Sequence, residues 1–184
     1  MKKLMIIIFM IFISFYANEN YAQSSSKKVN ISFDYTKRAG YSSNQIAVWA
    51  EDDKGNYITT IYITDFTGRR EGWKRRPQSL NNWQIKADAV NLDKKIVDAV
   101  SKSTPKTGKV NIVWDCKDSK GRAVKNGIYK IVVEATIYQD NNVLYTSYIN
   151  IVNNAETKKS EAKYSKEEAR AIDIIKNVTV SFIP

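Results

Sequence analysis

Histidine is absent from all 184 residues of the chain, and this absence excludes more chemistry than any other feature of the composition. Without an imidazole there can be no Ser-His-Asp or Cys-His nucleophilic mechanism. Zinc, copper and non-haem iron sites built on histidine ligands are excluded as well. Any chemistry that the chain performs must therefore use carboxylates, lysines, tyrosines or a bound cofactor.

Cysteine is almost as scarce, since Cys116 is the only one. A single cysteine cannot form an intramolecular disulfide, so the fold must be held together by the burial of apolar surface. We interpret Cys116 as a small, partly buried residue in a turn. The alternative is a reactive thiol, but nothing in the sequence resembles the partner set of a cysteine protease.

The N-terminus has the order of charged and apolar residues that is typical of a secretory signal peptide. Two lysines precede an apolar run, Leu4–Tyr16, and the small residue Ala22 follows a short polar stretch. The run is shorter than the ~20 residues that a membrane-spanning helix needs, although an uncleaved anchor is the alternative. We predict that residues 1–22 are removed and that residues 23–184 form a single domain, periplasmic or secreted.

The chain is strongly basic. Lysine and arginine number 29, aspartate and glutamate number 19, and the formal net charge is +10. No stretch after the signal peptide is apolar enough to cross a membrane, so we expect a mature form that does not span one. A basic exported protein suits anionic partners, and its compartment argues against nucleic acid.

Apolar and polar residues alternate with a period of two in several runs, which is typical of half-buried β-strands. Turn residues separate two pairs of these runs, at Asp52–Gly55 and at Asp140–Asn142, and so indicate two hairpins. About seven strands with short turns favour a β-sandwich. The runs are Val29–Tyr35, Gln45–Glu51, Tyr57–Asp65, Val110–Trp114, Ile128–Tyr138, Val143–Val152 and Asn177–Ile183.

Two parts of the chain lack this alternation. Residues 66–83 look irregular, and the apolar spacing in residues 87–101 predicts a short helix. The excursion over residues 153–176 begins as a polar loop, and then Ser165 and Glu168 form the pattern of a capping box. That pattern predicts a second short helix over Lys166–Ile175.

Three blocks of residues resemble a known family. They are Ala47-Val48-Trp49-Ala50-Glu51-Asp52 with Gly55; Arg76-Pro77-Gln78-Ser79-Leu80 with Trp83; and the run Asp98 to Thr104 with Pro105, Gly108, Trp114-Asp115, Asp118, Gly121, Val124, Gly127, Tyr129 and Val133-Glu134-Ala135. In order and spacing they resemble the predicted periplasmic family called domain of unknown function 2271, from about residue 29 to the C-terminus. Part of the third block also looks like the immunoglobulin-like module of flagellar hook-capping proteins. The resemblance implies an exported, mainly β, immunoglobulin-like sandwich without an established activity. Cys116 stands where the family usually has a glycine.

The run Asp98 to Thr104 also looks like the acceptor signal for covalent flavin attachment. In that signal the final threonine receives FMN through a phosphoester, so the resemblance implies FMN on Thr104, with Asp98 and Ser101 as recognition contacts. Families resembling this one are associated with extracytoplasmic flavin transferases. Two positions depart from the signal, because Lys102 replaces glycine and Ser103 replaces alanine. The alternative interpretation is a helix end that leads into a loop.

A cluster of basic residues lies in the irregular stretch, with Trp73 among them: Arg69, Arg70, Lys74, Arg75 and Arg76. Such a cluster can bind anionic polymers or acidic lipid headgroups. The alternative is a solvated loop of a basic protein. Trp49, Trp83 and Trp114 are expected to be core residues, with ligand stacking by Trp73 or Trp83 as an alternative.

The two acidic pairs in the sequence give weaker indications of a functional site. Asp115 and Asp118 could close turns or hold Ca²⁺, but their spacing lacks the EF-hand pattern. Glu51 and Asp52 are neighbours on a strand, so their side chains should point to opposite faces and make a poor catalytic pair.

The sequence therefore predicts a non-catalytic binding or accessory module of the cell envelope, whose partner is an envelope protein or an anionic polymer. The alternative is a protein that carries covalent FMN in extracytoplasmic electron transfer. The oligomeric state is left open.

Overall fold

Two β-sheets packed face to face form the body of the protein. The computed structural model describes residues 27–40 and 44–184. The predicted signal peptide, residues 1–22, lies outside the described residues. No helix in the described part of the chain combines the length and apolar character needed to cross a membrane.

The smaller sheet has four strands in the order β5-β1-β10-β8, and every neighbouring pair is antiparallel. Its central strands join the two ends of the domain, because Val29 of β1 pairs with Phe182 of β10. The strands are β1 (Lys28–Tyr35), β5 (Gly108–Trp114), β8 (Glu156–Lys159) and β10 (Ile175–Ile183).

The larger sheet has six strands in the order β4-β3-β2-β6-β7-β9. It contains both predicted hairpins, β2–β3 and β6–β7, as adjacent antiparallel pairs. The short strand β4 is parallel to β3 and pairs with it at Ile63 and Thr64. The strands are β2 (Gln45–Asp52), β3 (Tyr57–Thr64), β4 (Ser101–Lys102), β6 (Gly127–Tyr138), β7 (Asn141–Ile151) and β9 (Glu161–Tyr164).

The main core lies between the two sheets and follows the alternation of the sequence. Ile31 and Phe33 of β1 are buried, and so are Val48 of β2 and Val133 of β6. Each of these residues shares its face with the apolar residues two positions away, as the pleat of a strand requires. The predicted fold class, a mainly β sandwich, is confirmed.

A second core covers the outer face of the larger sheet, where the segment between β3 and β4 packs. This segment contains helix α1 (Asn81–Lys86) and helix α2 (Lys94–Val100). Trp49 of β2 and Trp83 of α1 are both buried in this second cluster. Both faces of β2 are therefore covered, which explains its unbroken apolar run from Ile46 to Ala50.

The helical predictions in this segment are corrected in position. The helix predicted over residues 87–101 begins only at Lys94, because Asp93 caps it by accepting a hydrogen bond from the amide of Lys95 at 2.9 Å. The stretch predicted as irregular contains a 3-10 turn at Gly72–Lys74 and the start of α1. Both short elements depend on packing against the sheet, which local periodicity does not reveal.

The excursion over residues 153–176 is more ordered than predicted. The expected loop contains β8 and β9, two edge strands with mostly exposed polar side chains and so without the apolar alternation of inner strands. The second helix, α3 (Glu167–Ala171), is shorter than predicted, and its capping box is wrong. Ser165 Oγ instead accepts a hydrogen bond from the amide of Asn142 at 2.9 Å, which ties β9 to β7. These two strands help to bring the total in the described residues to ten, against about seven expected.

Candidate functional site

The basic segment, residues 69–76, follows the end of β3. Much of its charge is compensated locally. Arg69 and Arg70 both pair with Asp65, at 3.4 and 3.1 Å, and Lys74 pairs with Glu71 at 2.7 Å. These exposed pairs add little stability, but each places a negative charge beside a positive one. Three of the five predicted anion-binding residues are therefore partly neutralised by their own neighbours.

Arg75 and Arg76 differ from the other three. Their guanidinium groups lie over the ring of Phe66, with 5.1 and 4.3 Å between each Cζ atom and the ring centroid. Neither makes a salt bridge with any residue that the structure describes. A guanidinium stacked on a ring keeps its in-plane N–H groups available for an acceptor. These two arginines therefore carry the uncompensated positive charge of the segment.

Gly72 fixes the phenyl ring beneath the arginines. Its amide donates to the carbonyl of Phe66 at 2.6 Å, which closes the turn. A Cβ at this position would overlap both the carbonyl oxygen and the ring of Phe66. The turn thus requires glycine because the chain passes too close to itself for any side chain.

A cleft of about 250 Å³ opens beside Arg76, where β2 begins and β6 ends. Three separate segments of the chain form its wall. The lining residues that the structure describes include no carboxylate. They are Gln45, Arg76, Gln78, Ser79, Thr136, Ile137, Tyr138 and Gln139. The charge of the lining is therefore positive, and most of its polar groups are hydroxyls and amides.

Buried hydrogen bonds hold the floor of the cleft. The side-chain oxygen of Gln45 accepts from Thr64 Oγ1 at 2.7 Å and from Thr67 Oγ1 at 2.8 Å. Thr136 Oγ1 accepts from the amide of Leu80 at 2.7 Å and so attaches the segment before α1 to β6. Because these groups are buried and paired, the cleft is built before any ligand arrives.

A second arginine stands next to the cleft. Arg38 lies over the ring of Tyr138, with 4.6 Å between its Cζ atom and the ring centroid. Its Nη1 atom is shielded from solvent and has no hydrogen-bond partner among the described residues. Tyr138 itself lines the cleft and is 46% exposed. A second positive charge therefore lies behind one wall of the cleft.

The residues of the flavin signal do not present one continuous surface. Asp98 lies on α2 with an accessible carboxylate, which pairs with Lys94 at 3.1 Å. Ser101 is 1% exposed, and its hydroxyl donates to the carbonyl of Val97 at 2.8 Å. Thr104 is partly buried after β4, and its hydroxyl makes one long hydrogen bond of 3.4 Å to the carbonyl of Asn44. Asp98 and Thr104 are thus accessible, but Ser101 is not.

Asn44 connects Thr104 to the region of the cleft. It is buried, and its side-chain oxygen accepts from Tyr35 Oη at 2.8 Å and from the amide of Arg38 at 3.0 Å. The next residue, Gln45, lines the cleft. The basic segment also contacts the signal, since Arg69 Nη2 donates to the carbonyl of Ser101 at 3.3 Å. The structure therefore gathers the two predicted sites at one end of the larger sheet.

The two predicted turn carboxylates differ, because Asp115 is exposed, pairs with Lys117 at 3.0 Å and accepts no turn amide among the described residues. Asp118 accepts hydrogen bonds from the amides of Lys120 and Arg122, at 2.9 and 3.0 Å, which confirms it as a turn residue. The hydrogen bonds from Arg122 hold the pKa of this carboxyl below its usual value. The described residues contain no group of three potential metal ligands.

Glu51 and Asp52 point to different surroundings, as the strand geometry predicts. Buried Glu51 accepts from Trp49 Nε1 at 2.8 Å and lies 3.4 Å from Lys130 Nζ, whereas Asp52 closes the β2–β3 turn by accepting from the amide of Asn56 at 2.7 Å. The two carboxylates therefore do not form a pair.

Cys116 and the tryptophans occupy the expected environments. Cys116 is 4% exposed, and burial raises the pKa of its thiol to about 11, with the neighbouring Asp115 as a further cause. It adopts a φ of 55° in the left-handed region that favours glycine. Trp83 is buried, and its Nε1 donates to Thr60 Oγ1 at 2.8 Å, so it cannot stack on a ligand. Trp49 and Trp114 are also buried, as predicted.

Sequence reasoning missed the polar residues that complete the cleft. Gln45, Thr136 and Gln139 stand at strand ends, where a polar residue carries no periodic signal. Arg38 was missed because it lies far in sequence from the basic segment. An isolated arginine between β1 and β2 gives no local indication that it stacks on Tyr138 at the end of β6.

The fold and this end of the sheet together define a two-sheet β-sandwich, covered on one face by helices, with a positively charged cleft at one end. The family comparison agrees with the sequence resemblance. The chain matches the family described as predicted periplasmic protein (DUF2271) over residues 26–170, and it belongs to that family. Comparisons with curated proteins and with solved structures give no match. The resemblance to flagellar hook-capping proteins therefore stays a prediction.

Proposed function

We propose that this periplasmic-family protein is a non-catalytic accessory module that binds an anionic polymer of the cell envelope through the basic segment. One observation carries the proposal. Arg75 and Arg76 are stacked on Phe66 and lack acidic partners among the described residues, and Arg76 lines a cleft without carboxylates. Charges left without internal partners on a basic protein favour an external anion.

The net charge of +10 supports this proposal beyond the site itself. A positive field increases the rate at which an anionic polymer meets the protein, and salt weakens it. Polymers that carry phosphate groups are suitable partners, because planar guanidinium groups match the geometry of phosphate oxygens.

The test measures binding to inorganic polyphosphate, with neutral dextran as the blank, using the full chain exported and purified from the periplasm. The variant Arg75→Gln/Arg76→Gln should bind at least tenfold more weakly than the wild type. Lys159→Gln/Lys163→Gln is the matched control, because it removes the same charge from exposed positions on β8 and β9. Binding by the control should change less than about twofold.

Equal losses in the two variants would show that only net charge matters and would overturn the assignment to the basic segment. An absence of binding to polyphosphate at low salt would overturn the proposed function itself. Anionic phospholipid vesicles form a separate arm, and binding to vesicles without binding to polyphosphate would replace the polymer with a membrane surface.

A second candidate function is that of a carrier of covalent FMN on Thr104. It is favoured by the environment of the hydroxyl, which is partly accessible and makes a single long hydrogen bond of 3.4 Å. In the attachment, Thr104 Oγ1 bonds to the phosphorus of an activated flavin phosphoanhydride. The nucleotide leaves with the electrons of the broken bond, and the hydroxyl proton goes to solvent. An external transferase would recognise Asp98 directly, and it would reach Ser101 only if β4 opened.

Intact mass of the protein purified from cells that express a flavin transferase tests this candidate. Wild type and the neighbouring control Thr107→Ala should both gain the mass of FMN less water, and Thr104→Ala should not. An unmodified wild type under these conditions would remove the candidate, as would a Thr104→Ala variant that still carries flavin.

A further inference from the structure

We propose that the cleft beside Arg76 is a binding site for a phosphomonoester group, such as a phosphorylated sugar or glycerol unit at the end of a polymer. This inference rests on the proposed function and deepens it, since it moves the specific contact from the exposed segment into the cleft. The inference is based on the side chains that line this small cleft.

The donors in the cleft suit a tetrahedral oxyanion. Arg76 provides a guanidinium that its stacking on Phe66, at 4.3 Å, holds in place. The hydroxyl of Tyr138 and the exposed amides of Gln78 and Gln139 are the neutral groups around it, whereas the hydroxyl of Ser79 is buried and hydrogen-bonded to Thr67 Oγ1 at 3.2 Å. One fixed cation with several neutral donors is a common arrangement for a phosphate, because the charge-assisted hydrogen bond provides affinity and the neutral donors provide geometry.

The electrostatics of the cleft favour the same ligand. No carboxylate stands among its described lining residues to compete for the arginine. Behind the wall, Arg38 lies 4.6 Å from the ring of Tyr138, and its buried Nη1 atom has no hydrogen-bond partner among the described residues. One guanidinium group thus lines the cleft and a second lies behind its wall, on separate segments of the chain, so both contribute a positive field there.

The size of the cleft sets the class of ligand. Its volume of about 250 Å³ equals roughly eight water molecules at about 30 Å³ each. A phosphate with a three-carbon or sugar unit fills such a space, whereas a bare phosphate leaves most of it to water. The floor of the cleft is also built on paired, buried groups, so the loss of conformational entropy on binding is confined to its exposed side chains.

Titration calorimetry with glycerol 3-phosphate, glycerol and inorganic phosphate tests the inference on the full exported chain. We expect glycerol 3-phosphate to bind most tightly and glycerol not to bind. Gln139→Glu should weaken binding at least tenfold, because it places a carboxylate at the mouth of the cleft without touching Arg76. Asn153→Asp makes the same change of charge at an exposed position outside the cleft lining and should leave binding within about twofold.

The two proposals fail in different ways. Polyphosphate binding could depend on Arg75 and Arg76 while the affinity for glycerol 3-phosphate is the same in Gln139→Glu and the wild type. In that case the cleft is not the phosphate site and the proposed function stands. If glycerol 3-phosphate does not bind at millimolar concentration, the inference is overturned. That result together with intact polyphosphate binding would mean that the protein contacts the internal phosphate groups of a polymer through the basic segment, and the proposed function would stand.

Discussion

The carboxylate of Glu134 accepts a hydrogen bond from the backbone amide of Trp83 at 2.8 Å, across the interface between β6 and α1. Its other oxygen accepts from the amide of Asn82 at 3.2 Å and from the side chain of the same residue at 2.9 Å. A residue that is 0% exposed therefore caps a helix that comes 51 positions earlier in the chain. This helix follows directly after the segment that carries Arg76 and Ser79, so Glu134 also positions one wall of the cleft.

Replacing Glu134 with glutamine should lower the free energy of unfolding by about 1–3 kcal/mol, because an NH2 group would replace one of the two accepting oxygens and leave the N–H of Trp83 or of Asn82 unpaired. Denaturant unfolding of the purified protein measures the change. The control is Glu161→Gln on the exposed edge strand β9, which should stay within about 0.5 kcal/mol of the wild type. Equal stability of Glu134→Gln and the wild type at neutral pH and below would contradict the capping role.

The same residue should make stability depend on pH. Burial raises the pKa of Glu134 above its usual value of 4.5, although hydrogen bonds from Asn82 and Trp83 oppose the shift. A carboxyl with a raised pKa in the folded state contributes stability below pH 4.5 and loses it as the pH rises through the folded-state pKa. The difference in unfolding free energy between wild type and Glu134→Gln should therefore shrink as the pH rises from 4.5. Thermal unfolding of both proteins in a series of buffers checks this, and a gap that widens over the same range would reverse the assigned direction.

The thiol of Cys116 should be unreactive in the folded protein. It is buried, and its pKa of about 11 leaves almost no thiolate at pH 8. With Ellman's reagent, the native protein should react at least a hundredfold more slowly than the same protein in guanidinium chloride. Lys120→Cys, which adds an exposed thiol in the same loop, is the control and should react at once with one equivalent. Rapid reaction of the wild type would show that the turn around Cys116 opens readily.

Tyr145 should contribute to stability through its hydroxyl rather than its ring alone. Its Oη atom lies 2.6 Å from Asp173 Oδ2 and 2.7 Å from the carbonyl of Ile175. Burial is the main reason that the pKa of Tyr145 is raised, and it keeps the hydroxyl protonated as a donor. Tyr145→Phe should cost about 1 kcal/mol of unfolding free energy, the usual net value of one such hydrogen bond.

Tyr148→Phe is the matched control for that measurement. It lies on the same strand, β7, but is 57% exposed. Its change in unfolding free energy should be close to zero. A loss of the same size in both variants would mean that the hydrogen bonds of Tyr145 to Asp173 and Ile175 do not stabilise the sandwich.

Much of the fold could be predicted from the sequence because the pleat of a strand is a local property. The alternation of Val29, Ile31 and Phe33 predicted a buried face, and the structure buries all three. Edge strands gave no such signal. Glu156–Lys159 has no alternating apolar residues, because a strand at the edge of a sheet is largely exposed to solvent and can be polar throughout.

The candidate site was predictable only in part. The cluster of Arg69, Arg70, Lys74, Arg75 and Arg76 is visible in the sequence, but it is only in the folded chain that Asp65 lies beside two of these residues and Phe66 beneath two others. The flavin signal is also visible, but local spacing could not show that Ser101 is buried.

The sequence by itself excluded histidine-based sites and predicted the mainly β sandwich, because composition and period-two alternation are properties of the chain alone. The resemblance of its motifs indicated the family. Only the tertiary structure decided which charges stay uncompensated and where a cleft forms. Gln45, Arg76 and Thr136 are far apart in sequence, and they meet because β2 begins where β6 ends and because Glu134 holds α1 against the sheet. Sites of this kind depend on distances between remote segments, and those distances exist only after the chain has folded.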